Sequence, residues 1–543
     1  MIKVTCLGAA QSVTGSNFLL QTSRGRKYLV DCGLFQGKKH LESRNWGQWG
    51  FEPAEIEALF LTHAHIDHSG RIPKLVKDGF KGRIITSPPT AELCEIMLQD
   101  SAHIQEMEAE WLSRKKRRQG QGQVQPLYTM QDALNSLEYF QPQPRDQILE
   151  LEDGLRVRMR NAGHILGSSI LEFWCPAEQN QELKVVFSGD LGQRSQLIVQ
   201  DPQQIFDADH LFLESTYGNR NHRGLEESKQ ELLQAIEYSY SRGGKILIPA
   251  FAVERTQEIL YILGEFYRQG KLPEIPVYLD SPLAIKATEI FRNNKQYYDH
   301  EALAIVDQGL DPFDMPTLQA TPSTAESMAI NEQSGSAIII AGNGMCTAGR
   351  IKHHLKHNLW REETSVVIVG FQAAGSNGRK LVEGAQQIRI FEENISVKAQ
   401  VFTIGGFSAH ADQKDLLSWV SNFRSSPRVF LVHGEPEASQ SLAQAIYSEQ
   451  GLQVQIPAWQ QSLILGPREV QEEAALPGLE PDISLQVTNA LVDLEKSLQK
   501  LKKRTQEKQN QGQLDEEDLD RLQFVQQEIS SLNEAGCSRN LQE

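Results

Sequence analysis

The densest group of metal-binding residue types in this chain lies in the stretch Leu61-Thr62-His63-Ala64-His65-Ile66-Asp67-His68-Ser69-Gly70. It directly follows the apolar run Ile56-Glu57-Ala58-Leu59-Phe60, which is typical of a buried strand. A strand that ends in a tight turn would direct the three imidazoles and the carboxylate into one small volume. One tetrahedral ion cannot easily take four ligands from so short a segment, because the first two histidines lie on one side of the turn and Asp67 and His68 on the next. Two adjacent metal ions can, and imidazole combined with carboxylate suits zinc or a similar divalent ion.

Length and composition place the chain among multidomain globular proteins. At 543 residues it is too long for one ordinary domain, so two or three domains are expected. Apolar residues make up 40 % and charged residues 23 %, as in soluble proteins, and no run of about 18 apolar residues predicts a membrane span. The N-terminus lacks the basic and apolar regions of a signal peptide. The six cysteines form no CxxC pair, which predicts a reducing, cytoplasmic location.

The net charge of −16 argues against a protein that coats nucleic acid nonspecifically. It does not exclude an enzyme that acts on nucleic acid, because a narrow cleft can be locally positive and bound metal ions would offset several carboxylates. The one dense basic run is Arg114-Lys115-Lys116-Arg117-Arg118. Two interpretations of this run stay open: a solvated helix end, and an edge that contacts phosphate.

Strand and helix patterns change along the chain. Short apolar strands with glycine-rich turns dominate the first part, and residues 88–111 have helical spacing with few breakers. From about residue 211 to residue 391, apolar strands alternate with helices, which predicts a parallel sheet covered on both faces. Two apolar stripes at helical spacing within residues 485–543 predict a C-terminal helical hairpin. Such a stripe is most often a self-packing or oligomer surface, and it would suit a homodimer.

Three more candidate ligands stand where predicted strands end: His164, Asp190 and His433. A two-metal hydrolytic site needs about seven donors, with one carboxylate bridging the ions. A single histidine at a strand end is more often structural than a ligand. Three such positions together with the cluster after Leu61 favour ligands. The residues therefore predict a binuclear metallohydrolase with a large insertion between its ligands.

The motifs of the chain also resemble those of a known family. His63-Ala64-His65-Ile66-Asp67-His68 is similar to the HxHxDH signature of the metallo-β-lactamase fold, an αββα sandwich. Three segments resemble motifs A, B and C of its β-CASP subfamily of nucleic-acid nucleases: Glu214-Ser215-Thr216-Tyr217-Gly218, Phe407-Ser408-Ala409-His410-Ala411-Asp412 and Val432-His433-Gly434-Glu435. Further matches are closest to the branch of the cleavage-and-polyadenylation specificity factor endonuclease and its prokaryotic relatives: Asp280-Ser281-Pro282-Leu283-Ala284, Gly344-Met345-Cys346-Thr347-Ala348-Gly349-Arg350 and Gly370-Phe371-Gln372-Ala373.

This resemblance covers about residues 1–467 and implies an α/β protein, a bacterial stand-alone member of the branch. Its fold would be an αββα metallo-β-lactamase sandwich with an inserted α/β β-CASP domain, followed by the C-terminal helical hairpin. The expected boundaries are 1–210 and 391–467 for the two parts of the metallo-β-lactamase domain, 211–390 for the β-CASP domain, and 468–543 for a linker and helical extension.

The resemblance also implies a role for each candidate residue. Seven residues would hold two Zn²⁺ ions, or Mn²⁺ in their place: His63, His65 and His164 on one ion, Asp67, His68 and His433 on the other, and Asp190 bridging. Asp31 would orient ligand histidines. A water activated by both ions, beside Asp67, would attack phosphorus.

The same resemblance names residues that would act on the substrate. His410, held by Glu214, would protonate the departing ribose oxygen. Ser408 and Arg350 would grip a phosphate. RNA-processing members of the family have histidine in motif C, whereas the DNA-repair branch has an apolar residue, so His433 favours RNA.

The implied function is zinc-dependent hydrolysis of single-stranded RNA, endonucleolytic or from the 5′ end, in RNA processing or decay. The insertion would cap the metal site and leave a slot too narrow for a duplex. Three alternatives stay open: another hydrolase of this fold, for example acting on thioesters or lactones; a DNA-directed nuclease; and a non-catalytic scaffold subunit. The last is disfavoured because all seven ligand positions are filled.

Overall fold

The structure is a computed structural model that describes residues 2–118, 122–177, 182–370, 372–373, 375–466 and 470–473. The chain divides into two units, Met1–Leu476 and Pro477–Glu543, and every described residue belongs to the first. The helical hairpin predicted within residues 485–543 therefore lies outside the described residues.

Before the insertion, the described residues form ten strands and five helices. The strands are β1 (Ile2–Cys6), β2 (Phe18–Gln21), β3 (Lys27–Val30), β4 (Ile56–Phe60), β5 (Arg83–Thr86), β6 (Phe140–Pro142), β7 (Ile148–Glu150), β8 (Arg156–Asn161), β9 (Ser169–Pro176) and β10 (Glu182–Phe187). The helices are α1 (Lys39–Glu42), α2 (Ile66–Ser69), α3 (Ile72–Lys77), α4 (Pro88–Arg117) and α5 (Met130–Leu137), with 3₁₀ turns at Ser43–Trp46 and Pro53–Glu55. The helix predicted over 88–111 is confirmed and continues for six further residues.

The middle of the chain alternates strands and helices. The strands are β11 (His210–Glu214), β12 (Lys245–Pro249), β13 (Val277–Asp280), β14 (Leu318–Ala320), β15 (Ala337–Ala341), β16 (Ser365–Ile368), β17 (Gln387–Ile390), β18 (Glu393–Ser396) and β19 (Gln400–Thr403). The helices are α6 (Leu225–Tyr240), α7 (Arg255–Arg268), α8 (Pro282–Asn293), α9 (His300–Asp307), α10 (Thr324–Glu332), α11 (Ile351–Asn358) and α12 (Asn377–Val382), with a 3₁₀ turn at Lys295–Tyr297. The last elements are α13 (Gln413–Val420), β20 (Arg428–Val432), α14 (Pro436–Gln450), β21 (Val454–Gln455), β22 (Ser462–Leu465) and β23 (Val470–Glu473).

Two sheets pack face to face as a sandwich. The first has the order β23-β22-β1-β2-β3-β4-β5-β6 and the second the order β21-β20-β11-β10-β9-β8-β7. Buried aromatic rings fill the space between them: Phe60 meets Phe173 edge-on at 5.2 Å between ring centroids, and Phe187 stacks on Phe212 at 4.5 Å. Apolar side chains of α3 and α4 cover the outer face of the first sheet, and those of α13 and α14 cover the second. The predicted αββα sandwich is confirmed.

The insertion has a sheet of its own, with the order β14-β13-β15-β12-β16-β19. Its strand pairs are all parallel, and its central strands are apolar and buried along their whole length. Parallel strands need such burial because helices cover both faces of the sheet. The predicted inserted α/β domain is confirmed.

The sheets with which β11 and β19 pair indicate where the insertion begins and ends. β11 pairs with β10 and β20 of the sandwich, and β19 pairs with β16 of the insertion. The boundaries expected from the sequence, at 211 and 390, stay a prediction. We propose that the chain leaves the sandwich after Glu214 and returns to it after Thr403.

The described helices and cysteines bear on two features considered from the sequence, membrane spans and the state of the thiols. Among the helices described, none is both long and apolar enough to cross a membrane. The cysteines of the described part are buried free thiols: Cys6, Cys32, Cys94, Cys175 and Cys346. Burial raises the pKa of Cys6 to about 12, so this thiol is unreactive at neutral pH.

Candidate metal centre

The cluster after β4 is held against the end of β3 by close backbone contacts. The amide of Cys32 donates to the carbonyl of His68 at 2.7 Å, and the amide of Ser16 donates to the carbonyl of Asp67 at 2.8 Å. A Cβ atom on Gly33 would lie 1.6 Å from the Asp67 carbonyl oxygen, so only glycine permits this approach. The backbone thus places Asp31 directly behind the histidines.

Three histidines and one aspartate form the first group of the centre. Nδ1 of His65 lies 3.1 Å from Nε2 of His63 and 3.2 Å from Nε2 of His164. Oδ2 of Asp190 lies 3.6 and 3.7 Å from the same two Nε2 atoms. Zinc–nitrogen bonds of 2.0–2.1 Å at tetrahedral angles place two ligand nitrogens about 3.3 Å apart. The spacing of these four donors fits one zinc-sized ion.

Asp67, His68 and His433 form the second group. Nε2 of His433 lies 3.3 Å from Nε2 of His68 and 3.4 Å from Oδ2 of Asp67. The Oδ2 atom of Asp190, already part of the first group, lies 3.3 Å from Nε2 of His68. One carboxylate therefore adjoins both groups, as a bridging ligand must. The structure brings all seven predicted ligands together.

The histidines His63, His68 and His164 each contact an oxygen atom through their second ring nitrogen, Nδ1. These contacts fix the orientation of the three imidazoles. Nδ1 of His68 lies 2.7 Å from Oδ2 of Asp31, and Nδ1 of His164 lies 3.1 Å from the carbonyl oxygen of Ala409. Nδ1 of His63 lies 3.1 Å from the hydroxyl of Thr62. A proton on Nδ1 of His63 and of His164 leaves their Nε2 lone pairs pointing into the centre, which is the arrangement of metal-binding histidines in proteins.

Burial and neighbouring charges set the protonation of the centre. Burial lowers the pKa of His65 to about 4 and holds those of His63 and His164 well below the usual range. These three imidazoles are therefore neutral, as metal ligands must be. Burial also acts against the charged form of His68, but the carboxylates of Asp190 and Asp31 outweigh it and raise the pKa of His68 well above its usual value.

The carboxylates of the centre are ionised. Burial disfavours the charged form of Asp67, but the nearby imidazoles, His433 first among them, lower its pKa. The pKa of Asp190 is held well below its usual range in the same way. Oδ1 of Asp190 is buried and has no hydrogen-bond partner among the described residues. An ionised, buried oxygen without a donor is unfavourable unless a cation meets it, so this donor set fits bound metal.

His410 and Glu214 lie beside this centre. Both carboxylate oxygens of Glu214 lie 3.3 Å from Nδ1 of His410, and Oε1 of Glu214 accepts from the amide of Leu191 at 2.6 Å. Glu214 is buried, whereas the His410 side chain is 21 % exposed. Burial disfavours protonation of His410, but Glu214 outweighs it and raises the pKa of His410 to about 9. An imidazolium reachable by solvent can give a proton to a bound molecule.

The two residues predicted to grip phosphate have different surroundings. Ser408 is adjacent to His410, and its hydroxyl accepts from the His410 amide at 3.3 Å. Arg350 contacts Asp280 at 2.7 Å and also donates to the carbonyls of Thr321 and Pro322. None of these three partners belongs to the metal centre. The phosphate-binding roles stay predictions, and the contacts of Arg350 favour a role in holding Asp280.

Sequence reasoning missed several residues that support the centre. The Thr62 hydroxyl contacts both oxygens of Asp31, and the Thr216 hydroxyl lies 3.1 Å from Nδ1 of His433. His222 contacts the carbonyl of His410 at 3.0 Å. The two threonines lie inside the sequence motifs of the centre, and a hydroxyl beside a candidate site residue is a signal that could have identified them. His222 carries no such signal in the sequence.

An αββα sandwich with paired histidine–aspartate groups at its strand ends defines the class of metal-dependent hydrolases with the metallo-β-lactamase fold. Models of known families match three parts of the chain: the metallo-β-lactamase superfamily at residues 12–170, the Beta-Casp domain at 256–381, and the Zn-dependent metallo-hydrolase RNA specificity domain at 394–457.

Curated relatives match most of the chain. Ribonuclease TTHA0252 of Thermus thermophilus is 38 % identical over 437 residues, which cover 80 % of this chain and 94 % of that protein. Transcription termination factor FttA of Thermococcus kodakarensis is 31 % identical over 475 residues, covering 84 % of this chain and 70 % of that protein. The chain belongs to the β-CASP ribonuclease family of the metallo-β-lactamase superfamily, and it is a hydrolase.

Proposed function

We propose that this protein is a zinc-dependent ribonuclease that hydrolyses phosphodiester bonds of single-stranded RNA in RNA processing or decay. The observation that carries the proposal is the buried Asp190, whose Oδ2 adjoins both histidine groups and whose Oδ1 accepts no hydrogen bond among the described residues. The RNA specificity domain at 394–457 and the similarity to a ribonuclease support RNA as the substrate.

His63, His65 and His164 would hold one ion and Asp67, His68 and His433 the other, with Asp190 shared. All-histidine and mixed histidine–carboxylate sets suit Zn²⁺, and Mn²⁺ accepts the mixed set as well. Two such ions would acidify a water molecule and offset the charge that develops on the phosphate oxygens. Asp31 would keep His68 turned toward the centre, which is the role of a carboxylate behind a ligand histidine.

His410 would act as the general acid. Its Nδ1 faces Glu214, so the opposite nitrogen, Nε2, is the one that can give its proton to the departing ribose oxygen. Glu214 keeps the imidazole protonated at neutral pH because its charge raises the pKa of His410 to about 9. Ser408, next to His410, would bind a phosphate oxygen of the same substrate.

The direct test uses the purified full-length protein with zinc and end-labelled single-stranded RNAs that carry a 5′-triphosphate, a 5′-monophosphate or no end (a circle). Product lengths on these three substrates separate endonucleolytic from 5′-exonucleolytic cleavage. His68→Ala should abolish cleavage and release one ion per chain, whereas the exposed His300→Ala serves as a matched control and should do neither.

His410→Ala tests the general acid separately. Cleavage should slow by about 10²–10⁴-fold with the metal content unchanged. Loss of zinc from this variant would refute the assignment. Equal cleavage of a DNA strand of the same sequence would favour a DNA-directed nuclease, and turnover of small thioesters or lactones without RNA cleavage would favour another hydrolase of this fold.

The location of the protein is also a proposal. Free cysteines, as found among the described residues, are typical of proteins in a reducing compartment. We therefore propose that the protein acts in the cytoplasm, where its RNA substrates are made.

A further inference from the structure

Helix α4 exposes a stripe of apolar side chains in its second half. The exposed fractions are 44 % for Ile104, 58 % for Met107 and 61 % for Trp111. Steps of three and four residues put these side chains on one face of the helix. A continuous exposed apolar stripe of this kind commonly marks a binding surface.

The position of α8 explains why this face of α4 is exposed, although another face of the same half contacts the backbone of Val124 through the Ser113 hydroxyl. Glu92 accepts from the side chain of Asn294 at 2.8 Å, and Asp100 interacts electrostatically with Lys286, so α4 and α8 run antiparallel. From the first pair to the second, the position along α4 advances and the position along α8 recedes by the same number of residues. Continuing this register places Pro282, the first residue of α8, level with about residue 104. At 1.5 Å per residue, the remainder of α4 extends about 20 Å beyond the start of α8.

The other end of α4 lies against the metal centre. The Ser87 hydroxyl, which caps the helix, donates to the carbonyl of Gly167 at 2.6 Å, three residues after His164. The distance along the helix from its start to Trp111 is about 35 Å. The exposed stripe is therefore remote from the reacting atoms but connected to them by a rigid element.

Positive charge is concentrated where the stripe ends. Arg114, Lys115, Lys116, Arg117 and Arg118 are all exposed, in a chain whose net charge is −16. Arg114 pairs with Glu110, and Nζ of Lys115 lies 5.4 Å from the centroid of the Trp111 ring. Within the described part of the chain, the last three cations have no acidic partner. Cations at a helix C-terminus interact favourably with its dipole, but that effect does not account for an exposed tryptophan and methionine.

We propose that residues 104–118, the α4 arm, bind the single-stranded RNA substrate outside the metal centre. Trp111 would stack on a base, and the cations of the last turn would contact phosphates. Aromatic faces beside a positively charged track are how proteins hold single strands without reading their sequence. The proposal rests on the ribonuclease function proposed above, and it adds a second contact that only a long substrate can reach.

The test measures RNA binding by the full-length protein with zinc, in an Asp67→Asn background that prevents cleavage. The probes are fluorescent unstructured RNAs of about 30 nucleotides and of about five, the latter too short to span the distance to Trp111. The triple variant Lys115→Gln/Lys116→Gln/Arg117→Gln removes three positive charges. For the long RNA, the slope of the logarithm of the binding constant against the logarithm of salt concentration should become less steep by about 2. Trp111→Ala should weaken binding of the long RNA about fivefold or more. Binding of the short RNA should not change.

Matched controls are available on the same chain. Trp360 is 51 % exposed with the Arg361 guanidinium 4.8 Å from its ring centroid, so Trp360→Ala removes a similar surface feature elsewhere. The triple variant Lys81→Gln/Lys271→Gln/Lys398→Gln makes the same change in charge at other exposed positions. Neither control should alter binding of the long RNA by more than about twofold.

Three results would overturn the proposal: an unchanged salt slope in the arm variant, an equal loss of affinity for short and long RNA, or an equal loss in arm and control variants. A change of molar mass in light scattering for Trp111→Ala, with RNA binding intact, would instead assign the stripe to contact with a second copy of this chain. Cleavage of both RNAs in the wild-type background is measured in parallel. Absence of cleavage of the short and the long RNA alike would refute the ribonuclease function, whatever the binding experiment shows about the arm.

Discussion

Asp190 and Asp280 are both buried aspartates at or just after the end of an apolar strand, and histidine lies beside each. They differ in how their oxygens are satisfied. Oδ1 of Asp280 accepts from Arg350 and Thr321 at 2.7 and 2.8 Å, and its Oδ2 accepts from His354 and Ser327 at 2.7 and 2.6 Å.

Around Asp190, five imidazoles lie between 3.3 and 3.9 Å from a carboxylate oxygen, and Oδ1 has no hydrogen-bond partner among the described residues. A carboxylate whose four acceptor positions are filled by donors is a structural ion pair. One that several imidazole nitrogens surround at longer distance has the environment of a metal ligand, which is the role we propose for Asp190. Both aspartates are buried and lie beside histidine, so these two properties do not distinguish them. The number of hydrogen-bond donors that reach the carboxylate oxygens does.

The strongest test of this contrast is Asp190→Asn. We expect RNA cleavage to fall by more than about 10³-fold, beyond the 10–100-fold typical of a residue that only orients a ligand, because both ions lose a shared donor. Chelation of the wild type should lower its unfolding temperature and added zinc should restore it, since metal binds the folded state. The variant should lack this response. Calorimetry with and without zinc, together with metal analysis, measures both effects, and a normal zinc response would contradict the bridging role.

Asp280→Ala should act on stability and leave the metal centre intact. Removing one partner of a buried charge pair leaves the Arg350 guanidinium uncompensated, which costs about 3–5 kcal/mol of unfolding free energy. Chemical denaturation measures the loss, and the zinc content per folded chain should stay that of the wild type. If the variant does not fold, the milder Asp280→Asn keeps the shape and supplies the same comparison. Loss of zinc from a folded variant would contradict a purely structural role.

The same residue predicts a pH dependence. Burial disfavours ionisation of Asp280, but hydrogen bonds from His354, Ser327 and Thr321 outweigh it and lower the pKa to about 2. A folded-state pKa below the unfolded value near 3.9 contributes stability above pH 4, and that contribution disappears as the pH falls from about 4 to 2. The wild type should lose about 2 kcal/mol in this window from this group. Asp280→Asn should show a correspondingly flatter acid limb, and an unchanged acid limb would contradict the assignment.

Asp31→Asn should have an effect between those of Asp190→Asn and Asp280→Ala, because Asp31 contacts the proposed ligand His68 and is not itself a proposed ligand. Its Oδ2 contacts Nδ1 of His68, and its Oδ1 accepts from the Thr62 amide at 2.9 Å. We expect zinc affinity to fall about 10–100-fold and cleavage to recover at high zinc. Competition with a chelating dye gives the affinity. Cleavage that stays lost in saturating zinc would show that Asp31 does more than orient His68.

The smallest effect on cleavage is expected for Arg350→Gln. The contacts of Arg350 with Asp280 and two carbonyls predict a loss of about 1.5–3 kcal/mol in unfolding free energy. The Michaelis constant for RNA should change by no more than about twofold. A large rise of this constant that depends on salt would show that Arg350 also grips a phosphate, as the family resemblance implies.

The sequence predicted the sandwich and the ligand set because their signals are local. The six residues from His63 to His68 come just after an apolar strand, His433 comes just after another, and His164 follows a strand of alternating pattern. Apolar runs of four to five residues separated by helices likewise predicted the parallel sheet of the insertion. Such patterns can be seen without knowing which distant residues meet.

Other features depend on which segments pair, and no short pattern carries that information. The boundaries predicted from the sequence put most of β11 in the insertion and β19 in the returning part of the sandwich. The hydrogen bonds of β11 join it to the sandwich, and those of β19 join it to the sheet of the insertion. The carbonyl of Ala409 that turns His164 lies 245 residues away along the chain.

By itself, then, the sequence indicated the fold class and the family and predicted candidate metal ligands, since each of these signals lies within a few neighbouring positions. Only the tertiary structure showed which buried aspartate has its oxygens filled by hydrogen-bond donors and which lies among imidazoles, and that one face of α4 is exposed from Ile104 to Trp111. The physical reason is that hydrogen-bond partners and burial are properties of segments that meet in space. A residue's type and its local pattern do not fix them.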